Sequence, residues 1–193
     1  DGLGVQLFKI ASMDLTHLPL LRHVARKRKP LILSTGASSI AEVREAVKVI
    51  QAEGHDELVL LHCISLYPTQ PAQVHLGMIR HLAQEFPACV IGYSDHTLPT
   101  TRLLVPVLAV AVGAVVIEKH FTFDRSRQGY DHAISADYAG FTRMVHDIRQ
   151  VEQMLGDRMK APLPEEGRAR QFGRRSLVAA QDIPQGTTIR PSM

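Results

Sequence analysis

Five short apolar runs, recurring at intervals of one strand plus one helix, constrain this chain more than any other feature. They cover residues 7–11, 31–33, 58–63, 90–93 and 115–117, and their starts lie 24, 27, 32 and 25 residues apart. Runs of this length, rich in Val, Ile and Leu, suit strands buried on both faces, where alternation with polar residues is lost.

Between the runs the sequence switches to helical spacing. Ser39-Ile40-Ala41-Glu42 reads as a capping box, in which the Ser hydroxyl and the Glu carboxylate take N–H groups left free at a helix start. Behind it Ile40, Val43, Val47 and Ile50 repeat at intervals of three and four, and Gly54 ends the pattern. Residues 76–86 and 100–112 carry shorter patterns, the second containing Pro106, which kinks a helix or shifts its start. The last helix, 137–155, places Phe141, Val145, Ile148, Val151 and Leu155 on one face and stops at Gly156. Such alternation predicts a parallel α/β domain, either a doubly wound sheet or a (β/α)8 barrel. No Gly-rich fingerprint follows the first run, which weighs against a dinucleotide-binding sheet. Polar residues close every run, which favours the barrel, and five βα units are five eighths of one.

After Gly156 the pattern changes. Residues 157–173 hold Pro162, Pro164, Gly167 and several charges without apolar periodicity, and read as a linker. Residues 176–180 and 187–189, around a turn at 182–186, read as the first hairpin of a second, β-rich domain that starts at residue 174. The expected organisation is a partial barrel over 1–156, a linker over 157–173 and the start of a small domain over 174–193. A chain that opens on Asp1 near a strand and ends inside a new domain reads as a piece of a longer protein, with no signal peptide before it.

Basic residues exceed acidic ones by 22 to 19, a net charge of +3 that is too weak to imply a nucleic-acid partner. With 45% apolar and 21% charged residues the chain is not of the disordered class. The apolar stretch at 103–117 stops short of the roughly 18 residues of a membrane-spanning helix, so no membrane partner is expected. Cys63 and Cys89 lie in apolar runs without a disulfide or metal spacing, which fits a reducing, cytoplasmic setting.

In a parallel barrel, reactive groups collect where strands end. Those ends carry Lys9, Ser12 and Asp14; Ser34 and Thr35; His62, Ser65 and Tyr67; Ser94, Asp95 and His96; and Glu118, Lys119 and His120. His96 and His120 close neighbouring strands, and imidazoles converging there suit a divalent transition metal with open positions for Lewis-acid work. Two-residue alternation puts Ser94 with His96, and Glu118 with His120, on matching faces. Lys9, Ser12, Ser34 and Ser65 supply donors for phosphate or carboxylate oxygens. Other residues take structural readings. Arg26 to Lys29 form a solvated helix end; His17, His23, His55, His75, His81 and His146 are surface residues; Cys63 packs in the core. Alternation turns Lys119 away from His120, against a Schiff-base role.

These strings are similar to those of the sialic acid synthase family, which condenses phosphoenolpyruvate with an N-acetylated aminosugar. The similarity lies in Lys9-Ile10-Ala11-Ser12, in Pro30 to Gly36, in Leu61-His62-Cys63 with Tyr67-Pro68-Thr69, and most specifically in Gly92-Tyr93-Ser94-Asp95-His96-Thr97 and Ile117-Glu118-Lys119-His120-Phe121-Thr122. It extends to Arg174-Arg175-Ser176, where the family begins an antifreeze-like (SAF) domain. The resemblance implies a (β/α)8 barrel of which this chain holds the fourth to eighth units. It implies Mn2+ or Mg2+ on His96 and His120, and phosphoenolpyruvate on Lys9, Ser12, Ser34, Ser65 and Ser94. It implies aminosugar contacts at Tyr67 and Asp131, and Asp14 and Glu118 near the reacting centre. The family's homodimers and its catalytic groups on the first three units lead to the expectation that this piece alone is inactive.

Against the family pattern, Gln128-Gly129-Tyr130-Asp131 stands where Pro-Gly-Pro-Asp is usual, Ser65 stands where some members have Asn, and the two histidines are more widely spaced. The first expectation is N-acetylneuraminate formation from N-acetylmannosamine. The rival within the family is a legionaminic, pseudaminic or spore-coat sugar synthase, with His62 weighing against the pseudaminic type. A Schiff-base aldolase and a non-catalytic sugar-binding protein are the remaining alternatives.

Overall fold

Each apolar run is a strand of one sheet. In a computed structural model that describes residues 2–99, 102–129 and 131–190, β1 is Phe8–Ile10, β2 Leu31–Ser34, β3 Leu58–Cys63, β4 Val90–Asp95 and β5 Val116–Lys119. β4 and β5 run past the apolar residues into Ser94-Asp95 and Glu118-Lys119, because these polar residues stay in the parallel ladder. All pairs are parallel and the order is β1-β2-β3-β4-β5. Successive strands added on one side, with right-handed crossovers, bring the connecting helices to a single face. The result is a half-barrel with a convex, helix-covered side and a concave side.

The helices are α1 Leu18–Ala25, α2 Ile40–Ala52, α3 Gly77–Glu85, α4 Leu104–Val112 and α5 Tyr138–Leu155. The capping box at Ser39 forms as expected: Ser39 Oγ accepts the Glu42 N–H, and Glu42 Oε2 accepts the Ser39 N–H at 2.7 Å. Asp137 caps α5 by accepting the Gly140 N–H at 2.7 Å. α4 begins at Leu104, later than expected, so that Pro106 falls in the first turn, where its missing N–H costs no helical bond. Leu31, Leu33, Leu58, Leu60, Ile91 and Tyr93 from the convex side form one core with Leu21, Val43, Ile50, Ile79 and Leu82 from the helices. A smaller cluster joins Leu103, Ala136, Met144 and Ile148 beside α4 and α5.

The chain divides into two compact units, Asp1–Gly156 and Asp157–Met193. The second unit departs from expectation. Its expected linker contains a short helix, α6, Gly167–Gly173, preceded by a 3₁₀ turn at Pro164–Glu166. The expected hairpin is absent among the described residues, and Leu177, Val178 and Ile189 are exposed. A lone two-stranded hairpin is marginal in water, and among the described residues of this unit no strand is present to bury its apolar face. No described helix is long and apolar enough to cross a membrane.

Gly92 shows how tightly the concave layer is packed. A Cβ there would come 2.5 Å from both Leu61 Cδ2 and the Val116 carbonyl oxygen, and the latter, being backbone, cannot move aside. Gly92→Ala is therefore expected to destabilise the first unit by about 1–3 kcal/mol in urea denaturation. A wild-type midpoint would contradict this packing.

Candidate active site

Register decides which strand-end side chains meet. Lys9 pairs with Ile32, Ser34 with Leu61, Cys63 with Ser94, and Ser94 with Glu118. Alternation along the strands then places Lys9, Ser34, Cys63, Ser94 and Glu118 on the concave face. Ser65, His96 and His120 continue the same parity just beyond their strands, and Ser12 opens a 3₁₀ turn after β1. With Tyr67, all of these line one open cavity of about 530 Å³.

Two of the expected site residues are placed differently. Asp14 ends the 3₁₀ turn, is exposed and does not line the cavity. Asp131 is also exposed and outside the cavity lining; its Oδ2 lies 3.5 Å from His120 Nδ1, and its charge also acts on the Tyr67 phenol.

The cavity has two chemically distinct sides. On one, Ser12 Oγ accepts the Gly36 N–H at 3.0 Å and lies 3.1 Å from Cys63 Sγ, close to Ser34 and Ser65 on the same wall. Gly36 is required here, since a Cβ would collide with Ser65 Oγ and come 2.7 Å from Cys63 Sγ and 2.9 Å from Ser12 Oγ. On the other side, Glu118 accepts the Ser94 hydroxyl at 2.7 Å and lies 3.5 Å from Lys9 Nζ. The His96 and His120 rings are 5.3 Å apart, and Tyr67 stacks over His96 at 4.2 Å.

The His96 ring is fixed by a 2.7 Å bond between Nδ1 and the Ile64 carbonyl. A carbonyl only accepts, so Nδ1 carries the proton and Nε2 presents a lone pair. Burial pushes the His96 imidazole below its usual value, although the Ile64 carbonyl works against this, so the neutral ring is favoured. Burial likewise raises the Tyr67 phenol. Among the described residues no group of three or more His, Cys, Asp or Glu side chains is arranged to hold a metal ion.

Behind the strands, on the opposite parity, Asp95 and Lys119 form a fully buried ion pair at 2.7 Å. Lys119 Nζ also donates to the Thr97 carbonyl at 2.8 Å, so the amine is engaged away from the cavity. His62 too faces the convex side: its Nε2 donates to the Val74 carbonyl at 2.8 Å, and its ring does not line the site cavity. His55, expected at the surface, is buried, and its Nε2 has no hydrogen-bond partner among the described residues. Cys63, expected in the core, lines the cavity, and Gly36, expected only as part of the string before α2, leaves room for the side chains that meet on this wall. The signal was available for Cys63, which shares its parity with Ser65.

The family model described as the NeuB family matches residues 1–160. The chain belongs to the NeuB family. An uncharacterised protein of Methanocaldococcus jannaschii is 52% identical over 96% of the chain and 54% of its own length. A relative from Legionella pneumophila named N,N'-diacetyllegionaminic acid synthase is 44% identical over 97% of the chain and 53% of its own length. The solved structure of N-acetylneuraminic acid (sialic acid) synthetase from Leptospira borgpetersenii superposes with a TM-score of 0.82 at 34% identity, covering 90% of this chain and 61% of that one. The chain thus spans about half the length of the curated NeuB relatives it matches.

Burial also pushes the His62 imidazole below the 6.5 of a free ring. As pH falls, the unfolded chain takes up this proton first, so the contribution present above pH 6.5 is lost as pH drops through the depressed folded value. His62→Gln, whose amide can still donate to the Val74 carbonyl, should flatten the decline in stability as pH falls below 6.5. An unchanged slope in pH-dependent urea melts would contradict the assignment.

Proposed function

We propose that this chain forms the fourth to eighth units of a (β/α)8 synthase that joins phosphoenolpyruvate to an N-acetylated aminosugar, giving a nonulosonate and phosphate. The observation that carries the reading is one cavity that brings serine hydroxyls and Lys9 together with an imidazole pair and a carboxylate. Lys9 and the hydroxyls of Ser12, Ser34, Ser65 and Ser94 bind the phosphate and carboxylate of phosphoenolpyruvate. Tyr67 offers an aromatic wall to the sugar, and Asp131 a hydrogen-bonding carboxylate at its rim.

His96 and His120 would hold a divalent ion. The fit is supported by the protonated Nδ1 of His96 bonded to a carbonyl, by Asp131 facing Nδ1 of His120, and by rings close enough to share one ion. Two imidazoles favour Mn2+ over Mg2+, which prefers oxygen ligands. When bound, the ion supplies Lewis-acid polarisation of the sugar aldehyde.

In the reaction C3 of phosphoenolpyruvate bonds to the aldehyde carbon as its C=O π bond opens, and the resulting oxyanion takes a proton from solvent to become a hydroxyl. Water adds to the oxocarbenium carbon at C2, and the tetrahedral product loses phosphate by C–O cleavage. Glu118, which accepts the Ser94 hydroxyl and lies beside Lys9, takes the proton of that water in this scheme. Lys9 and the serines hold the phosphate and carboxylate charges throughout. Asp14, exposed and outside the cavity lining, is given no step in this scheme.

N-acetylmannosamine is the first acceptor in this reading. The Legionella relative's name supports a 2,4-diacetamido sugar as the second. We further propose a cytoplasmic homodimer completed by an antifreeze-like (SAF) domain beyond residue 174.

The test measures phosphate release by a protein carrying the complete barrel, with Mn2+ and each acceptor in turn. Release that EDTA abolishes, with one sugar preferred, is expected; no release with any acceptor would overturn the reading. His96→Ala and His120→Ala should each lower the rate by at least ~10²-fold, within the range for loss of a principal electrostatic contributor, with circular dichroism unchanged. Wild-type rates in either variant would remove the histidines from the mechanism.

A further inference from the structure

The buried ion pair lies outside the cavity lining, yet it joins the residues that immediately precede the two histidines. Asp95 precedes His96 and Lys119 precedes His120, and the two are register partners across β4 and β5. Lys119 Nζ lies 2.7 Å from Asp95 Oδ2, 2.8 Å from the Thr97 carbonyl and 3.5 Å from the Asp95 carbonyl. The ammonium therefore grips the backbone on both sides of His96. Asp95 tightens the same turn: Oδ1 accepts the Thr97 N–H at 3.2 Å and the Tyr93 hydroxyl at 3.0 Å, and both carboxylate oxygens accept from Thr97 Oγ1. The His96 carbonyl in turn accepts the Thr69 N–H at 2.9 Å. Residue 96 is thus held at a fixed height above the end of β4, and residue 120 is tied to it through a side chain one residue away.

We propose that Asp95 and Lys119 are positioning residues that set the separation and orientation of the His96 and His120 rings, and so the metal affinity of the site. The proposal rests on the reading of those rings as metal donors. A purely structural role is the weaker explanation. Taking two charges out of water offsets most of their attraction, and apolar or neutral groups of similar volume stabilise a core about as well. What a neutral pair does not reproduce is three directed donations from one ammonium to a carboxylate and two flanking carbonyls. Ligand orientation of this kind is the usual work of groups just outside a metal's own ligands, and its loss weakens metal binding by about 10–100-fold.

The test is the double variant Asp95→Asn/Lys119→Met, which removes both charges together and leaves no unpaired ion. Two readouts are taken on the folded protein. In the metal-free state, ¹⁵N NMR of the histidine rings reports whether His96 keeps its Nδ1-protonated form. Titration with Mn2+ alone, followed by the EPR signal of free Mn2+, reports affinity. The expected result is unchanged circular dichroism, loss of the fixed His96 tautomer and at least tenfold weaker Mn2+ binding. An unaltered His96 ring signal in the folded variant would overturn the proposal. Loss of the fixed tautomer where even the wild type binds no Mn2+ would uphold the positioning role and remove the metal reading instead. If the double variant fails to fold, Thr97→Val keeps the ion pair and deletes only the hydroxyl that bridges the carboxylate. It should weaken Mn2+ binding measurably with the tautomer partly averaged, and wild-type values on both readouts would again overturn the proposal.

Discussion

In-register parallel pairing is the constraint on which the rest of this structure depends. Once β1 to β5 are laid side by side in sequential order, two-residue alternation leaves no freedom in which strand-end side chains share a face. Lys9, Ser34, Cys63, Ser94 and Glu118 fall in one concave row, while Leu33, Leu60, Ile91 and Tyr93 fall under the helices. A slip of one residue at any pair would send the polar row into the apolar core and the core leucines into the cavity. The hydrophobic effect that builds the convex core therefore also enforces the polar composition of the site.

The site is made by the strands, and its precision comes from polar contacts on both of their faces. On the concave side Glu118 is held by Ser94 and sits near Lys9, and Gly36 leaves room for three side-chain heads to meet. On the convex side Asp95, Lys119, Tyr93 and Thr97 close a buried hydrogen-bonded set, and there the low dielectric lowers the Lys119 ammonium by desolvation while Asp95 opposes the shift. The two faces are linked through the backbone of residues 95–97 and 119–120, so that a change made behind the strands is felt at the imidazoles.

Much of this was legible in the sequence because burial leaves a periodic trace. The five runs fall on the five strands, the Ser39 box caps α2, and matched parity gathers most of the named site residues around one cavity. What was not legible depended on tertiary neighbours that no local pattern records. His62 looked like a site residue because it ends an apolar run, but its parity turns it toward Val74. His55 follows a helix-ending Gly and looked exposed, yet packing covers it. Asp14 lies close to Ser12 in sequence, but a 3₁₀ turn carries it off the cavity wall. The expected hairpin after residue 174 had strand-like composition, but composition supplies no partner for its apolar side chains, and they stay exposed.

The central claim is that His96 and His120 act as one pair of donors beside an oxyanion-binding wall. The most direct measurement is anomalous X-ray scattering at the manganese edge from crystals of the protein grown with Mn2+. The account expects one manganese peak within coordination distance of Nε2 of both rings, on the cavity side facing Glu118 and Ser94. A peak elsewhere, or histidines that remain unliganded at saturating Mn2+, would contradict it.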